Sequence, residues 1–189
     1  MTELFEKARK FVEESFQGNK PQMLHFDRTV YWLQQLKPDA DEAFLIAAVG
    51  HDIERATRMG KEGLGRTDKG FLDKDDLTYH QERGAEIMGD FLEQNQVNTK
   101  LIERVKYLIS KHEVGGDDDQ NLLKDADSLS FVENNADFFI SRLDKLGYEK
   151  IKEKFDWMFN RITDQKAKEI AKPFYENMIY QLETAVKSK

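Results

Sequence analysis

Apolar residues recur at helical spacing along nearly the whole chain, and the period-two alternation of a half-buried strand is almost absent. This pattern restricts the fold to packed helices. Leu4, Phe5, Ala8, Phe11 and Val12 give one apolar face to a first helix over about residues 2–16, ended by Gly18-Asn19-Lys20-Pro21. A second helix spans about 23–36 and stops at Lys37-Pro38, because proline drives the residue before it out of the helical region. A third begins near Asp39 or Asp41, either of which suits an N-cap, and runs to about Arg58. Residues 59–78 carry four glycines and many charges and read as a long loop, of a length often used for lids and binding loops. Further helices are expected over about 79–93, over about 99–113 and from about 119, with two or three more in 136–189. Asp117, Asp118 and Asp119 suit an N-cap with acids at the positive end of the helix dipole. The expectation is an all-α, single-domain bundle over residues 1–189, with a motif-bearing core at about 23–135 and covering helices at about 136–189.

Composition narrows the class. Hydrophobic residues make up 39% and charged residues 34%, a globular balance. The net charge of -7 gives no overall attraction to duplex nucleic acid or anionic lipid. No cysteine is present, so neither disulfides nor thiolate metal sites are available. The charged N-terminal stretch lacks a signal-peptide core, and no apolar run approaches the roughly 20 residues that span a bilayer. A cytoplasmic protein without membrane partners is expected.

The chain has four histidines, and all four fall on apolar helix faces. At about 100° per residue, His25 aligns with Thr29, Trp32, Leu33 and Leu36. His51 aligns with Phe44, Ala48 and Arg55; His80 with Gly84, Ile87, Met88 and Phe91; His112 with Leu101, Val105, Leu108 and Ile109. A lone histidine on such a face is usually a satisfied core residue. If an apolar stripe covers about a third of the circumference, chance brings all four inward about once in eighty. Four separate buried imidazoles each need a partner, and one metal centre satisfies them together. Imidazole suits Zn, Fe, Ni and Cu, and carboxylates extend the range to Mn and Mg.

Two acidic elements accompany them. Asp52 follows His51 at about 100° around the helix, so the pair can share a target lying between their directions. Asp125 and Asp127 flank the stripe of Leu122, Leu123, Ala126 and Leu129, and periodicity does not choose between them. Arg55 lies one turn after His51, placed either to reach a phosphate or to form a surface ion pair. Glu54 suits either a support for a ligand histidine or an exposed salt bridge. Lys111 points away into solvent. Arg58, Lys61, Arg66 and Lys69 make the long loop partly basic. Phe155, Trp157 and Phe159 read as core.

In order along the chain, "HFDR" (His25, Arg28), "HD" (His51, Asp52), "HQERGAEIM" (His80), "ISKHE" (His112) and "LKDADSL" (Asp127) resemble the HD superfamily of metal-dependent phosphohydrolases. The resemblance covers about residues 23–135. It implies an all-α HD-type bundle in which His25, His51, Asp52 and Asp127 hold one metal. His80 and His112 complete a second, and Asp52 bridges. The A-D-x-L element selects Asp127 over Asp125, and "HxxR" makes Arg28 a candidate phosphate contact beside Arg55. Ser128 stands where many relatives carry Arg, which puts part of the phosphate recognition in doubt.

The chemistry expected of such a site is hydrolysis of a nucleotide or other small phosphate ester by a metal-bound hydroxide, using one or two divalent ions (Mn, Fe, Ni, Zn or Mg). Asp52, Arg55 and Arg28 are the expected catalytic residues. The rival readings are a di-iron oxygenase with the same ligands, a metal- or nucleotide-binding sensor, and a helical interaction module. No Ser-His-Asp triad, cysteine nucleophile or Gly-rich phosphate loop is evident.

Overall fold

A computed structural model of the chain describes residues 2–59 and 72–188. These residues form helices and connecting turns, with no strand among them. In order they are α1 (Glu3–Ser15), α2 (Lys20–Leu36), α3 (Glu42–Gly50), a 3-10 helix (Ile53–Arg58), α4 (Lys74–Gln94), α5 (Thr99–Ile109), α6 (Asp118–Asn134), α7 (Ala136–Ile140), α8 (Leu143–Leu146), α9 (Tyr148–Asn160) and α10 (Gln165–Lys187). Of the expected loop, residues 60–71 lie outside the described residues, and with them Lys61, Arg66 and Lys69. No described helix is long and apolar enough to cross a membrane.

Short polar side chains start the helices. Asn19, Asp41, Asp73, Asn98, Asp117 and Asp164 each accept a hydrogen bond from a backbone N–H in the first turn of α2, α3, α4, α5, α6 and α10. At α6 the exchange is reciprocal, with Gln120 reaching back to the Asp117 N–H as a capping box. The Asp73 cap explains why α4 opens at Lys74 rather than near Tyr79, five residues earlier than its apolar pattern announces.

The α6 helix is the axis of the packing, in contact with α2, α3, α5, α9 and α10. The α3 helix is buried around most of its circumference, from Ala43 and Phe44 to Val49 and Gly50, as an apolar interior helix must be. Phe26, Leu33, Phe44, Ile46, Leu108, Leu123 and Phe155 are fully buried between these helices, and each such side chain contributes about 1.5–3 kcal/mol.

Three further boundaries differ from the sequence expectation, and two of them shape the site. The third helix does not run unbroken to Arg58: α3 ends at Gly50, and a 3-10 helix follows from Ile53. The fifth helix ends at Ile109, which leaves His112 in the turn after it. Residues 136–187 form four helices where two or three were expected, because Gly147, at φ 79°, breaks the chain between α8 and α9.

Candidate metal centre

His51 and Asp52 fall at the break between α3 and the 3-10 helix. The Arg55 N–H returns to the Asp52 carbonyl at 2.9 Å, three residues back rather than four. That tighter winding helps two adjacent side chains enter one interior space. The same device appears after α5, where the His112 N–H bonds the Ile109 carbonyl at 3.2 Å and the chain turns on Gly115 at φ 78°.

Each histidine has its Nδ1 occupied and its Nε2 aimed at the common centre. His51 Nδ1 lies 2.9 Å from the Ala48 carbonyl, and His112 Nδ1 lies 2.8 Å from the Ile109 carbonyl. Both carbonyls belong to the last turns of α3 and α5. A carbonyl only accepts, so both nitrogens carry hydrogen. His80 Nδ1 donates to Glu54 Oε2 at 2.9 Å. His25 Nδ1 lies 3.0 Å from Ser130 Oγ, which itself donates to the His25 carbonyl at 2.7 Å and so accepts from the ring. In all four rings Nδ1 is thus occupied and Nε2 is turned inward, the nitrogen a cation would take.

The inward atoms converge. His25 Nε2 and His51 Nε2 are 3.3 Å apart, and Asp127 Oδ1 lies 3.1 Å from the first and 3.4 Å from the second. Asp52 Oδ1 lies 2.7 Å from His80 Nε2 and 3.7 Å from His112 Nε2. Among the described residues, ligand atoms of His25, His51 and Asp52 lie within 4.8 Å of one another, and so do those of Asp52, His80, His112 and Glu113. Asp52 belongs to both groups. His112 Nε2 is buried without a hydrogen-bond partner. An orphaned imidazole nitrogen beside a carboxylate, and two imidazole nitrogens facing one another, fit a cation at their meeting point.

Charge is balanced by close pairing. Burial by itself would push the Asp52 carboxyl up, but Arg55, His112 and His80 hold it well below the usual carboxylate range. Burial opposes ionisation at Asp127 as well, and Arg161, His51 and His25 reverse it. Glu113 is lowered in the same way, chiefly by Arg161. Burial lowers His112, which keeps that ring neutral. His51 is also penalised by burial, yet Asp127 and Asp52 raise it to about 9.

The six residues expected as ligands are thus all gathered. Arg55 also reaches them: it bonds Asp52 Oδ1 and Glu113 Oε1, both at 2.9 Å, and lines the cavity instead of making a remote surface pair. Arg28 does not reach them. It grips Glu133 with two bonds of 2.8 Å, lies 3.9 Å over the Tyr31 ring and is absent from the cavity lining, which corrects its expected place in the catalytic set. Glu54 is buried at 1% exposure, which overturns an exposed salt bridge: it supports His80, pairs with Arg58 and is held at about 2, with burial opposing and His80 and Arg58 prevailing. Asp125 is turned away, accepting from Thr163 and Asp164. Lys111 is exposed. Of the aromatic trio, Phe155 is core, while Trp157 and Phe159 are half-buried.

Two residues that the sequence reading passed over join the site. Glu113, next to His112, brings Oε1 to 3.9 Å from His80 Nε2. Arg161, at the end of α9, bonds Ser128 Oγ at 2.8 Å, Glu113 Oε2 at 2.5 Å and Asp127 Oδ2. A guanidinium from elsewhere in the chain thus stands beside Ser128. The adjacency of Glu113 to a ligand histidine was a readable signal; the position of Arg161 depends on how α9 packs and was not.

A cavity of about 370 Å³ opens over this cluster. Its lining includes His25, Asp52, His80, Glu113 and Asp127; the cations Arg55, Arg58, Arg142 and Lys154; and an apolar side made by Phe16, Phe131, Phe138, Phe139 and Met158. The volume suits a small molecule.

A family model described as a domain of unknown function, DUF4202, matches residues 8–182. Among solved structures, the chain is similar to a crystal structure of a predicted HD superfamily hydrolase from an uncultured Thermotogales bacterium. The two share 19% sequence identity with a TM-score of 0.55, over 97% of this chain and 91% of that one. The likeness gives the chain the HD-superfamily fold that its motifs led one to expect. No curated protein matches.

Proposed function

This chain belongs to the DUF4202 family of domains of unknown function, and from that premise we propose that it is a metal-dependent phosphohydrolase acting on a small phosphate ester. The single observation that carries the reading is the set of four buried imidazoles, each locked at Nδ1 and directing Nε2 toward Asp52 or Asp127. In this reading His25, His51, Asp52 and Asp127 hold one divalent ion. Asp52, His80, His112 and Glu113 hold a second, and Asp52 is common to both.

When bound, such ions polarise a phosphoryl oxygen and lower the pKa of water toward about 7. The chain's own residues do the rest. Glu54, Ser130 and the Ala48 and Ile109 carbonyls fix the ring orientations, as supports of ligating histidines generally do. Arg161 holds Asp127 and Glu113 in place. Arg55, tied to Asp52 and Glu113, stands at the cavity edge, where a phosphate oxygen can exchange for one of its carboxylates. Phe16, Phe131, Phe139 and Met158 give the cavity a buried apolar side. A nucleotide or a similarly sized ester fits the cavity, with its phosphate over the cluster and its alcohol part against the phenylalanines.

The test is release of inorganic phosphate or alcohol from a panel of phosphate esters by protein supplied with Mn, Fe, Ni, Zn or Mg in turn. Metal-dependent turnover of at least one ester, abolished in Asp52→Ala, is expected. Bound iron with oxygen uptake and no phosphate release would point to an oxygenase instead. Ligand-dependent thermal stabilisation without any turnover would point to a sensor.

A further inference from the structure

Lys154 occupies a core position. On α9 it shares a face with Ile151, Phe155 and Met158, all buried, at the i, i+3, i+4, i+7 spacing that a helix turns inward. It is itself only 8% exposed. Long cationic side chains at such positions normally carry the charged end out to water or pair it. Lys154 is not paired: among the described residues no hydrogen bond or ion pair reaches its ammonium, which faces the cavity. Its Nζ lies 4.4 Å from the centre of the Trp157 ring and 5.6 Å from that of Phe131, contacts that favour a cation but satisfy none of its N–H donors. The nearby carboxylates Glu113 and Asp127 are already taken by Arg161 and Arg55.

The ammonium lines the cavity over the metal-ligand cluster. Burial pushes it down to about 8, with Glu113 pulling upward and Arg161 and Arg55 adding to the lowering, so it still carries its charge at neutral pH. A charged donor group that faces a cavity and has no protein acceptor is available to an anion that enters the site. We propose that Lys154 binds an anionic oxygen of the substrate's phosphate group, opposite the cluster, and is a catalytic residue of the site. The inference rests on the phosphate-ester reading above. It adds to Arg55, which must give up a carboxylate to take a phosphate oxygen, an ammonium that has no carboxylate to give up; Arg58 and Arg161 are held by carboxylates.

Calorimetric titration of the Mn-supplied protein with inorganic phosphate tests this. Lys154→Met keeps the length and apolar stem while removing the charge, and Lys154→Gln serves equally if the methionine variant does not fold. The expected result is that phosphate affinity falls at least about tenfold, the loss of one charge-assisted hydrogen bond, while Mn stoichiometry and thermal midpoint are kept. Lys152→Met, two residues away in a surface pair with Asp156, should leave all three unchanged. Phosphate affinity within twofold of wild type in a folded Lys154 variant overturns the inference, whether or not esters are hydrolysed. Loss of phosphate affinity in a protein that turns over no ester keeps the role of Lys154 and overturns the hydrolase reading. A wild-type protein that binds no phosphate overturns this assignment directly.

Discussion

At the scale of single residues, much of the site was legible and its support was not. His25, His51, His80, His112 and Asp52 announced themselves because polar groups on apolar faces demand partners. The ring orientations depend on Glu54, Ser130 and two helix-end carbonyls, and nothing in the local pattern distinguishes Glu54 from a surface glutamate. Its role is open to measurement. In Glu54→Gln, His80 loses a charged acceptor, and metal affinity is expected to drop about 10- to 100-fold with the fold intact. Equal affinity, read by competition with a chelating dye, would remove Glu54 from the support of the site.

The pH response at His51 follows from its elevated proton affinity. Its folded value of about 9 lies above the ordinary 6.5. In metal-free protein this contributes stability that is fully present below the unfolded value and is lost as pH rises through 9. A metal must displace that proton, so apparent metal affinity should rise with pH up to about 9, by about tenfold per unit for each proton released. Titrations at several pH values across that interval check it, and a flat response would mean that His51 binds no metal.

At the scale of elements, periodicity located the helices but not their ends. The third and fifth helices stop early for reasons their apolar stripes do not encode, and those early stops deliver His51, Asp52, His112 and Glu113 to one point. Small residues set how closely the elements approach. A Cβ on Gly84 of α4 would come within 3.1 Å of the His51 carbonyl, a backbone atom, whereas a Cβ on Gly50 would meet the flexible side chain of Met88. Gly84→Ala should therefore destabilise by about 1–3 kcal/mol and also weaken metal binding, because α4 carries His80. Gly50→Ala should cost less, as Met88 can move. Thermal melts of the two variants compare them, and the reverse order would contradict this account of how α4 is seated.

At the scale of the whole molecule, an acidic chain of net charge -7 encloses a cavity lined by Arg55, Arg58, Arg142 and Lys154. Net charge bears on the protein's encounters with large polyanions, and the local field governs what enters the cavity. The helical class was readable from composition and periodicity together. Covering helices were expected over 136–189, but not that Lys154 and Arg161 enter the site, because they act across distances in sequence that no helical pattern spans. The same packing makes Arg161 a joint between α9 and the cluster. Arg161→Met should leave Asp127 and Glu113 without their common partner, with Arg55 alone on Glu113 and only His25 and His51 on Asp127, and lower the thermal midpoint more in metal-free than in metal-loaded protein.

The central claim is that the four histidines and their carboxylates form a metal centre. Metal analysis of purified protein, after incubation with Mn, Fe, Ni, Zn and Mg in turn and removal of unbound ion, tests it most directly. The account expects two ions per chain with at least one of these metals, and loss of both in Asp52→Ala. A wild-type chain that retains none of the five would contradict it.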